Sequence, residues 1–240
     1  ATEQTIRQLF SDLKNPEQPQ VRAKYTIPLT GKNQFFKATD KELTSSSIQV
    51  LIKREHLVLK SEDDYRQGLI QSLFNRIISE RFADLAKKPG LPYIDAKCSL
   101  GNLMANLDAF SANVDLRPGE AEQGFKAVWT EIERVRKFGF TQTELDRARQ
   151  VLTRSIESLL KEKDKTSSEH YVEEYLQLFL KGEASPGIDY EYALYKKFLP
   201  QFTVADVNAF AREVIVATNR DVLVTGSDRD APELPSEEAI

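Results

Sequence analysis

Residues 125–160 read FKAVWTEIERVRKFGFTQTELDRARQVLTRSIESLL, two amphipathic helices joined by a tight turn. In the first, Phe125, Val128, Trp129, Ile132 and Val135 recur at three- and four-residue spacing and so share one face. Gly139 is expected to stop that helix in a left-handed cap, which glycine adopts without steric cost. Thr141 stands three residues before Glu144, the pattern of a capping box that restarts a helix. Leu145, Ala148, Leu152, Ile156 and Leu159 form the second apolar stripe. Both stripes are expected to bury against a core, and neither helix carries chemistry of its own.

Working outward towards the N-terminus, Pro118-Gly119 precedes two strand patterns, Tyr93–Leu100 and Met104–Leu116. Gly101-Asn102 between them suggests a hairpin turn and antiparallel pairing. Before them, Ser61 and Asp64 resemble a capping box and open a long helix. Its apolar face is Leu69, Ile70, Leu73, Phe74, Ile77, Ile78, Phe82 and Leu85. Ser47–Lys53 alternates as a strand should, and Lys24–Leu29 and Gln34–Ala38 are further strand candidates. Thr2–Lys14 reads as a short helix.

Towards the C-terminus, Ser167–Lys181 reads as a helix with Tyr171, Tyr175, Leu178 and Phe179 turned inward and Gly182 at its stop. Tyr190–Phe198 and a helix opened by Thr203 and Asp206 follow, and Asp221–Thr225 closes as a strand. Hairpins mixed with long helices predict an α+β fold, a mixed, mainly antiparallel β-sheet with helices packed on one face. Residues 1–20 are read as a leading helix and linker, 21–226 as the α+β domain, and 227–240 as an acidic linker or tail with a frayed end. With no initiator methionine or signal-peptide pattern at the start, the chain is expected to be a piece of something longer.

Composition narrows the function classes. The chain has 240 residues, 40% hydrophobic and 29% charged, with a net charge of −4, which argues against a nucleic-acid surface. No apolar run is long enough to cross a bilayer, so no membrane partner is expected. The single cysteine, Cys98, excludes an internal disulfide framework and lies in a strand-like run, where buried packing is expected. No G-x-S-x-G elbow, phosphate-binding loop or dinucleotide glycine motif is present.

Zinc hydrolysis needs histidine or carboxylate ligands on a fixed surface. There are two histidines, and His56, just past a strand, reads as a surface or edge residue. His170 begins a run with Glu173 and Glu174 that approximates the inverted motif H-x-x-E-H, with Glu174 in place of the second histidine. A Glu-rich helix face is ordinarily solvated, so no metal ligand is assigned.

The run FGFTQTELDRARQVLTRSIE (138–157) resembles the turn and helix of the pitrilysin/insulinase (M16) zinc metallopeptidases, where G-x-T-x-x-E-L-x-R-A-(K/R) recurs. The helix through Asn75, Arg76, Ile77 and Ile78 resembles the one carrying N-x-R-L in these proteins, and residues 167–211 also look like the family. The resemblance spans about Tyr25 to Gly226 and implies the fold of the M16 peptidases and their LuxS/MPP-like relatives. It further implies a non-catalytic domain of a zinc metalloendopeptidase that degrades peptides, one that lines the substrate chamber and docks the zinc-bearing domain. Zinc is then the parent's cofactor, with no catalytic or metal residue in this chain, and the partners are the zinc-bearing domain and a peptide. In the family's second half, an arginine and a tyrosine seven residues apart hold substrate. Tyr93 matches the tyrosine, and Ala86 stands at the arginine position. That departure points to the second domain of the catalytic half. The alternative is a proteolytically inactive homologue serving as a scaffold or assembly subunit. Bacterial relatives imply a periplasmic location.

Overall fold

The computed structural model describes residues 2–21, 23 and 25–240. Five strands form one sheet: β1 (Gln34–Asp40), β2 (Ser47–Glu55), β3 (Tyr93–Met104), β4 (Leu107–Leu116) and β5 (Arg220–Ser227). Their order is β1-β5-β2-β4-β3, with only β1 and β5 parallel. The alternation read in β2 sets the register of the rest. Ile48 lies between Val224 and Val114, and Val114 faces Ala96. Val50 lies between Val222 and Ala112, and Ala112 faces Cys98. All eight are buried. Because side chains alternate, the intervening residues share the opposite face, where polar side chains stand with half-buried Leu51 and Leu223 and exposed Phe36. There Gln49 donates to Asn113 at 2.7 Å, and Lys53 pairs with Asp221 at 2.6 Å.

Seven helices accompany the sheet among the described residues: α1 (Thr2–Phe10), α2 (Glu62–Leu85), α3 (Ala121–Phe138), α4 (Gln142–Lys161), α5 (Ser168–Lys181), α6 (Ile188–Phe198) and α7 (Val204–Val214). Capping boxes open three of them: Ser61 with Asp64, Thr141 with Glu144, and Thr203 with Asp206. The core lies between the apolar sheet face and the stripes of α2, α3, α4 and α7. Phe74 of α2 sits at its centre, edge-on to Phe110 of β4 (5.9 Å), Phe140 of the α3–α4 turn (5.9 Å) and Phe210 of α7 (5.7 Å). Truncating such a residue to alanine costs about 3–5 kcal/mol. The expected α+β class, with helices on one face, is the one observed.

Several local expectations are corrected. Lys24 lies outside the described residues, and Tyr25–Leu29 form no strand. Instead the Asn106 carboxamide accepts from the Ile27 N–H (2.8 Å) and donates to its carbonyl (3.4 Å), doing for one residue what a partner strand does for many. The β3–β4 turn is at Ala105-Asn106, not Gly101-Asn102, which are paired with Ala109 and Asp108. Ala105 takes φ 46° to close it. Gly139 has φ 75° but ψ −163°, so it is not the left-handed cap expected. Leu159 is exposed, and α5 buries none of its residues, so its expected inward stripe stays exposed, although Tyr171 lines a cavity beside the helix. After β5 the chain turns back rather than fraying at once. Leu234 is buried, its carbonyl accepts from Lys37 Nζ (2.8 Å), and Ser46 Oγ donates to Asp230 (3.1 Å).

Candidate functional site

His170, Glu173, Glu174 and Gln177 share one face of α5 and line a cavity of about 580 Å³ with Leu159 and Glu191. Glu174 accepts a 2.6 Å bond from Ser185 Oγ. Burial, and then the charge of Glu174, push the Glu191 carboxyl upward, while His170 opposes them. Among the described residues no three histidine, cysteine or carboxylate side chains stand close enough together to hold a metal ion. The residues present therefore do not fit a zinc site. His56, expected at the surface, is wedged between two carboxylates instead. Its Nδ1 lies 2.7 Å from Asp108 and its Nε2 lies 3.6 Å from Glu183, with the ring only 14% exposed. It ties β2 and β4 to the loop after α5, where Ala184 N–H also donates to the Leu59 carbonyl (2.7 Å).

The free edge of β3 offers more to a ligand. Leu100 donates its N–H to Asn75 Oδ1 (2.7 Å), and its carbonyl accepts from Asn75 Nδ2 (2.7 Å). Asn75 belongs to α2, on the side away from β4. In an antiparallel pair, residues alternately turn both backbone groups towards the partner strand and both away. The β3–β4 register is unbroken from Asp95 to Asn102. Since Leu100 turns both groups away from β4, Cys98 and Ala96 do so too. Their side chains point into the core and their N–H and C=O groups face outward along the edge. This edge borders a groove of about 420 Å³, walled by Ser79, Phe82, Ala83 and Ala86 on one side and by residues 95–99 on the other. Asn75 closes one end of the edge. Asp95 and Lys97 pair at 2.8 Å beside it, and that bond holds the Asp95 carboxyl below the usual range.

Tyr93 begins β3 but is 4% exposed. Burial raises its phenol, and the charges of Asp95 and Glu131 push the same way. It lies where α3 comes closest: a Cβ on Gly124 would stand 2.6 Å from the Pro92 carbonyl oxygen. The structure thus puts Ala86 in the groove wall and Tyr93 in the packing beside α3.

The turn that dominated the sequence reading has a second support. Arg81 of α2 bonds both oxygens of Glu144 and reaches the Gly139 carbonyl. Asn208 of α7 accepts from the Phe140 N–H at 2.6 Å and donates to its carbonyl at 3.3 Å. Neither Arg81 nor Asn208 stands out in the sequence, because each acts across a long chain separation. Asn75 gave a local signal, through the N-x-R-L resemblance, but its part in closing the β3 edge was not legible.

Comparison with known proteins now bears on this geometry. The family model described as "Peptidase M16 inactive domain" matches residues 1–152, more than half of the chain. The chain belongs to this M16 family. A curated relative, "Zinc protease PQQL-like" from Arabidopsis thaliana, is 24% identical over 209 residues, covering 87% of this M16 chain and 19% of that protein. Among solved structures, the first half of the periplasmic protease PqqL from Escherichia coli superposes with a TM-score of 0.89 at 14% identity, covering 100% of this chain and 52% of that one. A predicted insulinase family protease from Yersinia pestis superposes with a TM-score of 0.79 at 12% identity, covering 95% of this chain and 49% of that one. At those identities the likeness is one of fold. The M16 domain therefore spans about a fifth of the curated relative and about half of these solved chains.

Proposed function

We propose that this M16 domain is the non-catalytic supporting domain of a zinc metalloendopeptidase that degrades peptides, the second domain of the half that carries zinc. Zinc is held by the neighbouring domain, which this one seats, and this domain lines part of the substrate chamber. The observation that carries the reading is the β3 groove. Its backbone groups at Ala96 and Cys98 face away from β4 beside a helix wall, with the Ala96 N–H in contact with the Asp95 carboxylate, so an extended peptide can add there as a further strand. Main-chain hydrogen bonds of this kind hold a peptide with little regard to its sequence. The name of the Arabidopsis relative supports the zinc-protease setting, and the superposition on a protease's first half supports the placement in the polypeptide. The reading also gives Tyr93 a substrate contact, although little of that side chain is exposed.

The test uses the intact parent polypeptide. Ala83 is exposed in the groove wall, so Ala83→Trp fills the groove without touching the core. The expected result is a KM for peptide raised about tenfold, a loss of about 1.4 kcal/mol, with zinc content unchanged. An unaltered KM would remove the groove from the function. A parent that hydrolyses no peptide and holds no zinc would point to the scaffold role instead. Tyr93→Phe in the same background raises KM if the phenol meets substrate, and leaves it alone if Tyr93 only packs.

A further inference from the structure

Helix α5 is amphipathic in the reverse sense to an ordinary surface helix. Such a helix turns its apolar stripe to the core and its polar stripe to water. In α5 His170, Glu173, Glu174 and Gln177 line the cavity on the side of α4 and α6, with Tyr171 beside them; Glu174 and Gln177 are half-buried there, and His170 and Glu173 stay exposed at its mouth. Val172, Tyr175, Leu176, Phe179 and Leu180, at three- and four-residue spacing, lie on the opposite side, 56%, 57%, 44%, 85% and 48% exposed. The helix ends in a defined left-handed cap at Gly182 (φ 72°, ψ 27°), so its face is presented by a regular element. A contiguous apolar stripe rich in aromatic side chains has the composition of an interface core.

We infer that this outer face of α5 is the seat of the neighbouring, zinc-bearing domain of the same polypeptide. The inference rests on the function proposed above and names the surface that does the seating. Three considerations select this occupant. A helix lying in a membrane surface carries lysine and arginine along its polar face, whereas the polar face of α5 carries Glu173 and Glu174 with a single lysine, Lys181, at its end, and it lines the cavity. The solved first half of PqqL contains this fold in about half of its length, so an adjoining stretch of comparable size is tethered to it. A tethered domain meets the face at a high effective concentration, which two free copies in dilute solution do not match.

Phe179→Cys and, as a control, Glu42→Cys are made both in the 240-residue chain and in the intact parent. Labelling by a bulky maleimide is followed site by site with mass spectrometry, and zinc is measured on the same parent sample. The expected result is rapid labelling of position 179 in the isolated chain and labelling at least about tenfold slower in the parent, with position 42 labelled alike in both. Equally fast labelling of 179 in a zinc-loaded parent overturns the assignment of α5 and leaves the proposed function standing. Slow labelling already present in the isolated chain, and relieved by dilution, assigns the face to a second copy and overturns the inference. A parent without zinc sinks the proposed function, and the inference falls with it. Because position 179 is exposed, the variant removes nothing from the core, and an unchanged thermal melt verifies this.

Discussion

Arg81 and Glu144 are joined by two parallel bonds, Nε to Oε1 and Nη2 to Oε2, each 2.8 Å. The same Glu144 carboxylate accepts from the Thr141 N–H at 2.7 Å and from its hydroxyl at 2.9 Å. One side chain therefore starts α4 and fastens it to α2, while the Arg81 guanidinium lies 5.1 Å over the Phe140 ring. The pair is partly buried, at 17% and 24% exposure. Charge-assisted bonds in such a setting contribute roughly 1.5–3 kcal/mol. Arg81→Ala is expected to destabilise by about that much in urea unfolding, and a loss under about 0.5 kcal/mol would show that the cap stands without its clamp.

The same carboxylate predicts a pH dependence. Burial pushes Glu144 up, but the Thr141 N–H, Arg81 and the Thr141 hydroxyl outweigh it and hold the group below its ordinary value. A carboxylate depressed in the folded state contributes stability above its unfolded pKa and loses it as pH falls through the folded one. Stability should therefore decline more steeply below about pH 4.5 in the wild type than in Glu144→Gln. Parallel curves for the two proteins would contradict the assignment.

Asn75 substitutes for a strand at one residue, pairing with both backbone groups of Leu100. Asn75→Ala leaves a donor and an acceptor without that partner, and is expected to cost about 1–3 kcal/mol. Asn75→Asp keeps the acceptor for the N–H but sets a carboxylate against the carbonyl, so it should not rescue. Equal stability of Asn75→Asp and wild type would mean that water serves Leu100 as well as the amide does.

Much of the fold was legible because it depends on near neighbours. The alternation of Ile48, Val50 and Ile52 and the three capping boxes are local patterns, and the structure keeps all of them. The misreadings share a cause. The β3–β4 turn moved from Gly101-Asn102 to Ala105-Asn106 because cross-strand pairing continues past a residue type that favours turns, with the Asn102 carboxamide donating to the Leu107 carbonyl (3.2 Å). The α5 stripe was read as inward on the premise that apolar faces bury within the same domain, and here the cavity side of the helix is mainly polar, with only Tyr171 of that stripe along it. The candidate groove was invisible for a similar reason. Which backbone groups of β3 lie free depends on its pairing with β4 and on Asn75, not on the letters from Ala96 to Cys98.

Gly139 separates two effects that usually come together. Its φ of 75° is a strained value for other residues, and a Cβ there would stand 2.3 Å from the Asn208 carboxamide. Gly119 has φ 76° with only a distant contact at 3.8 Å. Gly119→Ala should cost about 1 kcal/mol from backbone strain alone. Gly139→Ala should cost roughly 2–4 kcal/mol, because Asn208 must also leave Phe140. Equal losses at the two positions would show that Asn208 moves aside freely.

The zinc content of the purified chain weighs the one metal reading that the sequence raised. His170 and Glu174 lie on one face of α5, but Glu174 is engaged by Ser185 at 2.6 Å, and no third ligand completes a cluster among the described residues. A hydrolytic zinc needs three protein ligands in fixed geometry. After dialysis against a weak chelator, the 240-residue chain is expected to retain far less than one zinc per chain. His170→Ala should change neither that content nor the melting temperature. Stoichiometric zinc that disappears in His170→Ala would place metal chemistry in the α5 cavity. It would also give Glu174 and the half-buried side of that helix a purpose without any neighbouring domain to cover Tyr175 and Phe179.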